Sequence, residues 1–182
     1  MAEHVVLVGI MGSGKSAIGM ATARALGWPF IDLDYEIEAR ADKAVADLFT
    51  EEGEESFRRR EREALAEVVT APEPTVLATG GGAVLDPANR EAMRANGLVV
   101  WLRSHPREVH RRLTPDDVRA RPLLHGASDE PGGVEGRIAA MLTEREHAYE
   151  AAAHVAIEVD DRRVDDIADE VASKVRAAGA NP

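Results

Sequence analysis

Short apolar runs alternate along this chain with longer segments whose apolar residues recur at helical spacing. Each apolar run is bounded by residues that favour turns, and we predict five strands from these runs, at residues 5–8, 30–33, 75–78, 98–102 and 155–159. Strands that alternate with helices in this way form a parallel sheet with helices on both faces. The pattern therefore predicts an α/β fold.

The amphipathic segments predict eight helices. They cover residues 15–26, 34–40, 45–50, 54–70, 87–95, 106–113, 133–151 and 164–177. Between residues 114 and 133, proline, glycine and charged residues interrupt the helical spacing. Because such residues favour exposed turns, we predict that about 114–132 form a mobile surface lid outside the core.

Length, charge and cysteine content narrow the possible classes of protein. A chain of 182 residues fits a single domain, and its net charge of -11 disfavours sequence-independent binding of nucleic acid, which needs basic side chains. The absence of cysteine excludes disulfides and thiolate metal sites and favours the cytosol. The apolar stretch at residues 4–11 is too short to span a membrane. We expect a cytoplasmic monomer without nucleic acid or membrane partners.

A glycine-rich motif follows the first predicted strand. Residues 9–16 match G-x-x-x-x-G-K-[ST] between a strand and a helix, which is the context that defines a P-loop. Gly9 and Gly14 let the backbone curl so that its N–H groups point at phosphate oxygens. Lys15 would reach the β- and γ-phosphates, and the hydroxyl of Ser16 would bind Mg²⁺. The motif predicts a site for a nucleoside triphosphate and Mg²⁺.

Two aspartates follow at the end of the second predicted strand. Asp32 and Asp34 are two residues apart, so they point to one side at the carboxyl edge of the sheet, where ligands bind in open α/β folds. The strand at residues 75–78 ends in glycines and offers no aspartate for Mg²⁺. We assign Asp32 to the Mg²⁺ shell, through water, and Asp34 to the hydroxyl that accepts the phosphoryl group. The two roles could be exchanged, and Asp34 could instead cap the following helix.

Several further motifs join the P-loop in an order typical of one family. From about residue 5 to residue 175 the chain resembles the shikimate kinases, through the P-loop, Asp32-x-Asp34, Phe57-Arg58-Arg59-x-Glu61, Gly80-Gly81-Gly82 and Arg121-Pro122-Leu123-Leu124. The resemblance implies a three-layer P-loop kinase fold like that of nucleoside-monophosphate kinases, with a five-stranded parallel sheet, a substrate subdomain near residues 33–62 and a closing lid. It also implies the reaction of ATP with shikimate to give ADP and 3-phosphoshikimate, a step towards the aromatic amino acids.

The resemblance also implies roles for individual residues. The residues that it places on shikimate are Asp34, Arg58, Gly81 and Arg145. Those that it places on ATP are Gly12, Ser13, Gly14, Lys15, Ser16 and Ala17, with Arg112 on the adenine and Arg121 on the phosphates. Lys15, Asp34 and Arg121 would act in catalysis, and Ser16 and Asp32 would hold Mg²⁺. Arginines suit these roles, because their planar side chains bind carboxylates through paired hydrogen bonds and neutralise charge on a phosphoryl group.

Other interpretations of these side chains stay open on sequence grounds. Arg58 lies in a helix rich in arginine and glutamate, a pattern typical of a solvated surface, although Glu61 three residues later could hold its guanidinium in place. Phe49 and Phe57 could form an apolar wall beneath a ring-shaped substrate, or they could belong to the ordinary core. Arg145 stands between two glutamates and would by itself be interpreted as a surface residue.

Two other functions remain as alternatives. A P-loop kinase for another hydroxy acid, such as gluconate, or for a cyclitol would share the chemistry but not the substrate. The Phe57-Arg58 run and the glycine triplet favour shikimate. A non-catalytic nucleotide switch would leave the arginines without a purpose, and a guanine nucleotide switch would also carry an Asn-Lys-x-Asp motif, which this sequence lacks.

Overall fold

Five short strands form the centre of the protein. The computed structural model describes residues 4–119 and 121–179, and its strands are β1 (His4–Val8), β2 (Phe30–Asp32), β3 (Thr75–Ala78), β4 (Gly97–Arg103) and β5 (Val155–Glu158). They form one sheet in the order β2-β3-β1-β4-β5, and each neighbouring pair is parallel. The predicted five-stranded parallel sheet is confirmed.

Helices cover both faces of this sheet. The α-helices are α1 (Lys15–Leu26), α2 (Leu33–Ala41), α3 (Val45–Thr70), α4 (Pro87–Asn96), α5 (Pro106–Arg112), α6 (Pro115–Arg119), α7 (Gly133–Ala152) and α8 (Val164–Ala177). In the part of the chain that the structure describes, none of them is long and apolar enough to cross a membrane. Helices α1 and α8 pack on one face of the sheet, and α2, α3, α4 and α7 pack on the other. The result is the predicted three-layer α/β architecture.

Alternate side chains of each strand enter opposite layers. In β1, Val5 and Leu7 belong to the apolar cluster on the side of α1 and α8, whereas Val6 and Val8 belong to the cluster on the opposite side. All four side chains are buried. Parallel strands that are buried on both faces appear in sequence as uninterrupted apolar runs, which is why these strands could be predicted.

The boundary between β2 and α2 lies one residue earlier than predicted. Strand β2 ends at Asp32, whose carboxylate accepts a hydrogen bond from the backbone N–H of Asp34 at 3.1 Å and caps α2. The alternative in which Asp34 is the cap is therefore wrong. Asp34 lies in the first turn of α2, so capping does not account for its carboxylate.

Helix α3 contains a kink at Gly53. The backbone there has φ 83° and ψ 164°, which is not helical, so the stretch consists of two helical pieces. The predicted helices at residues 45–50 and 54–70 correspond to these two pieces. The kink brings Phe49 on the first piece against Phe57 on the second, with ring centroids 4.6 Å apart.

The segment between residues 114 and 133 contains more regular structure than predicted. It forms α6 and two 3₁₀ turns, Pro122–Leu124 and Ala127–Asp129. The prediction that this segment lies outside the core is wrong at Leu124, which is buried in a small apolar cluster whose other buried members are Ile10, Val109, Ile138 and Met141. Helical pieces of three to five residues are too short to show helical spacing, so the sequence pattern could not indicate them.

Candidate active site

A cavity of about 390 Å³ opens at the carboxyl edge of β1, β2 and β3. Its walls come from the P-loop, α2, α3, the glycine triplet after β3, the lid segment and α7. The predicted site residues that line it are Ser16, Asp32, Asp34, Arg58, Gly81, Arg121 and Arg145. Residues that are far apart in the sequence therefore face one space at the edge where α/β folds bind ligands.

The P-loop joins β1 to α1. Gly12 and Gly14 have φ values of 74° and 92°, in the left-handed region that favours glycine, and Gly14 precedes the first turn of α1. Within the described part of the chain no side chain caps this end of α1, so its first N–H groups are left for a ligand. Ser13 is buried, whereas Ser16 and Ala17 are exposed in the first turn. The loop thus has the conformation that the motif predicts for phosphate binding.

The ammonium group of Lys15 lies back on this loop. Its Nζ donates hydrogen bonds to the backbone carbonyls of Gly9 at 2.8 Å and Ile10 at 2.9 Å. Burial lowers the pKa of Lys15 to about 8, against the opposing effect of Asp34 and Asp32. A negatively charged ligand beside this group would favour its charged form.

Two carboxylates and a hydroxyl meet beside the P-loop. The Ser16 hydroxyl donates a hydrogen bond to Asp32 Oδ2 at 2.6 Å, which links the P-loop to the end of β2. Burial raises the pKa of Asp34, the nearby Asp32 raises it further, and Lys15 opposes the shift. A carboxylate with a raised pKa accepts a proton more readily than an ordinary aspartate does.

The guanidinium of Arg58 is held by two carboxylates. Its Nη1 donates to Glu61 Oε2 at 2.8 Å and its Nη2 donates to Glu54 Oε1 at 3.1 Å. The same group lies 5.4 Å from the ring centre of Phe57 and 5.9 Å from that of Phe49, within reach of a cation–π interaction. Glu61 is buried, and this burial raises its pKa although Arg58 opposes the shift. The predicted pair of Arg58 with Glu61 is confirmed, and Arg58 does not lie on a solvated helix face.

The glycine triplet, Gly80 to Gly82, lies directly against this charged pair. A Cβ atom at Gly82 would come within 2.6 Å of Arg58 Nη2, and one at Gly80 would come within 2.8 Å of Glu61 Oε1. A side chain at either position would displace the pair. Glycine at these two positions therefore lets the backbone and the two charged groups approach closely without moving the Arg58–Glu61 pair.

Helix α7 places two side chains on the same triplet. Arg145 is buried, lines the cavity and has its Nη1 3.4 Å from the carbonyl oxygen of Gly81. Four residues later on this helix, the hydroxyl of Tyr149 donates a hydrogen bond to that same oxygen at 2.7 Å. The interpretation of Arg145 as a surface residue is wrong, because its side chain lies inside the site.

The predicted lid segment contributes Arg121. Its Nη1 donates to the backbone carbonyl of Asp117 at 2.7 Å and to the Asp117 carboxylate at 2.9 Å. The two side chains are 32% and 38% exposed. Hydrogen bonds from Thr114 and Arg121 lower the pKa of Asp117 well below its usual range. Arg121 therefore lines the cavity while a partner from its own segment holds it.

Arg112 lies outside the lining of this cavity. Its guanidinium donates to Asp160 Oδ1 at 2.8 Å and to Ser104 Oγ at 3.1 Å. Asp160 also accepts hydrogen bonds from the Ser104 hydroxyl at 2.5 Å and from the backbone N–H of His105 at 2.7 Å. These partners follow β4 and β5, so Arg112 is fixed at the same edge of the sheet but apart from the other predicted residues.

Comparison with known proteins decides the family. The family model described as shikimate kinase matches residues 11–176. The chain is 44% identical to a shikimate kinase of Symbiobacterium thermophilum, over 97% of this chain and 98% of that protein. It is 40% identical to a shikimate kinase of Burkholderia thailandensis, over 97% of this chain and 91% of that protein. This chain belongs to the shikimate kinase family.

Solved structures agree with this membership of the shikimate kinase family. A shikimate kinase from Acinetobacter baumannii in complex with shikimate has a TM-score of 0.89 and 32% identity, covering 98% of this chain and 95% of that chain. A gluconokinase from Sinorhizobium meliloti has a TM-score of 0.58 and 19% identity, covering 96% of this chain and 92% of that chain, and so shares the fold alone. The predicted P-loop kinase fold and the predicted class of ATP-dependent kinase are confirmed.

Three residues of this shikimate kinase family member were not predicted, although they lie in or beside the site. Tyr149 is four residues after Arg145, so helical spacing could have placed both on one face. Asp160 accepts a hydrogen bond from Arg112, which lies 48 residues earlier in the chain, and no local sequence pattern reveals such a contact. Tyr35 lines the cavity and is 71% exposed. The sequence signal that could have indicated it was its place as an aromatic residue directly after Asp34.

Proposed function

We propose that this protein transfers the γ-phosphoryl group of ATP to the 3-hydroxyl group of shikimate. The observation that carries the proposal is one cavity in which a P-loop, an aspartate with a raised pKa and two arginines, Arg58 and Arg145, face one another. A polyhydroxy acid needs these groups together, because its carboxylate must be held while one of its hydroxyls reacts. The shikimate complex of the Acinetobacter baumannii relative supports the same substrate.

Each part of shikimate has a matching group in the cavity. Arg58 and Arg145 would bind the carboxylate, since guanidinium groups form paired hydrogen bonds with carboxylates. Asp34 would accept hydrogen bonds from the ring hydroxyls, and the backbone N–H of Gly81 would donate to another oxygen. The ring of Phe57 would support the apolar face of the substrate, next to Arg58.

Phosphoryl transfer requires the acceptor hydroxyl to lie in line with the γ-phosphoryl group. The bond between the hydroxyl oxygen and phosphorus forms while the bond from phosphorus to the β,γ-bridging oxygen breaks, and ADP is the leaving group. The proton of the hydroxyl passes to Asp34, whose raised pKa favours its acceptance. Lys15 and Arg121 neutralise charge on the transferred group, so we propose these three residues as catalytic.

Ser16 and Asp32 would hold Mg²⁺ beside the phosphates. Their oxygen atoms are 2.6 Å apart and both residues line the cavity. Hydroxyl and carboxylate oxygens are the ligands that Mg²⁺ prefers, so these residues fit the ion. The bound ion would supply positive charge that shields the phosphate oxygens.

The rest of the nucleotide would follow the P-loop and the edge of the sheet. Gly12, Ser13, Gly14 and Ala17 would donate backbone N–H groups to the phosphates, as a helix N-terminus does. Arg112 would stack on the adenine. Its position is supported by the Asp160 carboxylate, which holds the guanidinium at 2.8 Å.

We also propose the arrangement in which this activity occurs. The chain would be a single domain, with a substrate subdomain at about residues 33–62 and a lid at about 114–132 that closes when both substrates are bound. A monomer is supported because one chain supplies every proposed group. The cytosol is supported by its supply of ATP, and the net charge of -11 supports a protein without nucleic acid partners.

A coupled assay of ADP release tests the proposed reaction. With ATP and Mg²⁺ present, shikimate should raise ADP release strongly above the rate without an acceptor, and ³¹P NMR of the product should identify the 3-phosphate. Gluconate at the same concentration is the control acceptor and should be a poor substrate. Faster turnover of gluconate would show that gluconate, rather than shikimate, is the substrate. ATP binding without acceptor-dependent ADP release would favour a nucleotide switch.

A further inference from the structure

The side chain of Tyr149 connects the site to the central sheet. Its ring is stacked on Trp101 of β4, with centroids 5.5 Å apart and an angle of 15° between the planes, and it is fully buried. Packing of the ring explains an aromatic residue here but not its hydroxyl. That hydroxyl forms a hydrogen bond of 2.7 Å with the carbonyl of Gly81, inside the wall of the cavity.

The carbonyl of Gly81 has two donors within reach. Nη1 of Arg145 lies 3.4 Å away, which is long for an N–H···O hydrogen bond, whereas the Tyr149 hydroxyl is at an ordinary distance. Because the hydroxyl is the closer donor, this acceptor needs no second short bond, and the guanidinium of Arg145 can turn its N–H groups to a substrate carboxylate. Without the hydroxyl, the carbonyl would need another donor and would draw the guanidinium towards the wall.

The same hydrogen bond orients a peptide group of the triplet. Peptide bonds are planar, and among the described residues all are trans, so the C=O and N–H of one peptide point in opposite directions. Fixing the Gly81 carbonyl therefore fixes the N–H of Gly82. This matters for the site because the backbone of Gly82 lies close to Arg58: a Cβ atom at Gly82 would come within 2.6 Å of the guanidinium.

We propose that Tyr149 is a positioning residue for the shikimate site. Its hydroxyl holds the Gly81 carbonyl, and through it the Gly81–Gly82 peptide and Arg145, in the arrangement that takes the substrate. This inference rests on the proposed function. Burial raises the pKa of Tyr149 to about 12, although the nearby Arg145 opposes the shift, so the hydroxyl keeps the proton that it donates at physiological pH.

Tyr149→Phe tests this role, because it keeps the ring that stacks on Trp101 and removes only the hydroxyl. We expect the KM for shikimate to rise about fivefold to tenfold, the loss of one constrained hydrogen bond, while the KM for ATP changes less than about twofold. The matched control is Thr143→Val, which removes an exposed hydroxyl of the same helix that bonds the Ala139 carbonyl. It should leave both constants unchanged.

A purely structural role of Tyr149 predicts a different result. Equal changes in both KM values, or a lower thermal midpoint with an unchanged KM for shikimate, would overturn the proposal. A double-mutant cycle with Arg145→Ala adds a second criterion: Tyr149→Phe should raise the KM less when Arg145 is already absent, and strict additivity would overturn the link to Arg145. The wild-type protein is assayed first, since only its failure to use shikimate would remove the proposed function.

A second measurement applies if Tyr149→Phe does not fold. The chain has two tyrosines, so a Tyr35→Phe protein made with 3,5-difluorotyrosine carries the more acidic hydroxyl at position 149 alone. Its KM for shikimate should rise with pH as the fluorinated hydroxyl loses the proton that it donates, with no matching rise in the KM for ATP. A pH profile identical to that of the unlabelled Tyr35→Phe protein would overturn the proposal.

Discussion

The fixed wall of the site and the proposed lid hold their cations in different ways. The fixed wall comprises the P-loop, α2, α3, the glycine triplet and α7, and there Arg58 pairs with the buried Glu61 while Lys15 has a pKa that burial lowers to about 8. In the lid, Arg121 pairs with Asp117 from its own segment, and these side chains are 32% and 38% exposed. One region has buried charges that depend on each other, and the other has a local ion pair in contact with solvent.

This difference bears on the proposed closure of the lid. Breaking a buried ion pair leaves a desolvated charge behind and costs about 3–5 kcal/mol, whereas an exposed pair is worth about 0–1 kcal/mol. We therefore expect the fixed wall to keep its arrangement when the substrate binds. The lid pair can be exchanged for a phosphate at little cost, which suits a segment that closes over the nucleotide.

Replacing Lys15 has the largest expected effect. It measures how much the buried ammonium group of the fixed wall lowers the free energy of unfolding. In Lys15→Met we expect kcat to fall about a thousandfold, because the cation beside the transferred phosphoryl group is lost. We also expect the free energy of unfolding at pH 7 to rise by about 1 kcal/mol or more, because the fold no longer buries an ammonium group. The coupled assay and urea unfolding measure the two quantities.

The pH dependence of stability is the control for this variant. The folded pKa of about 8 lies below the ordinary value of 10.5, so the unfolded chain binds more protons between these values and wild-type stability rises with pH across that range. The Met variant lacks this rise. Its advantage in unfolding free energy should therefore shrink between pH 8 and pH 10, and a constant advantage would contradict the lowered pKa.

Removal of the lid cation should lower the rate without changing the stability. In Arg121→Ala we expect kcat to fall about a hundredfold, because the developing charge loses one partner, while the unfolding free energy changes by less than about 0.5 kcal/mol. Arg119→Ala is the matched control, since Arg119 lies in the same segment with a side chain that is 71% exposed. A similar loss of kcat in the control would show that the lid arginine is wrongly assigned.

Arg58→Ala should affect binding and stability together, in contrast to Arg121→Ala. A carboxylate clamp binds ground and transition states alike, so we expect the KM for shikimate to rise about thirtyfold with little change in kcat. The buried Glu61 loses its cation, so the unfolding free energy at pH 7 should fall by about 2 kcal/mol or more. Arg59→Ala, on the exposed side of the same helix, is the control. A large loss of kcat with an unchanged KM would contradict the assignment of Arg58.

The contrast between the two regions also separates what the sequence could predict from what it could not. The P-loop was predictable because its conformation depends on residues that are adjacent in the chain, including Gly14 and Lys15. The Arg58–Glu61 pair was predictable from helical spacing, since i and i+3 residues lie on one face. Local signals of this kind also placed β1 to β5 to within a residue or two.

Contacts between distant segments carried no such signal. Arg145 stands between Glu144 and Glu146, so the local pattern suggested a surface residue and only the family resemblance placed it in the site; the packing of α7 against the glycine triplet shows that its side chain is buried. The bond of Arg112 to Asp160 joins residues that follow different strands. Such features depend on how the layers pack, which a pattern read along one segment does not contain.

Tyr35 gives the smallest expected effect and tests whether the two regions meet. Its side chain is 71% exposed, and it lines the cavity together with Pro122 and Leu123 of the lid. If the closed lid covers this ring, Tyr35→Ala should raise the KM for shikimate about twofold to fourfold and, with both substrates present, should release more ADP than phosphorylated product, because water enters the closed site. Tyr35→Phe is the control and should behave as wild type, because the apolar ring is kept. Equal amounts of ADP and phosphorylated product in Tyr35→Ala would show that the lid closes without contacting this part of the wall.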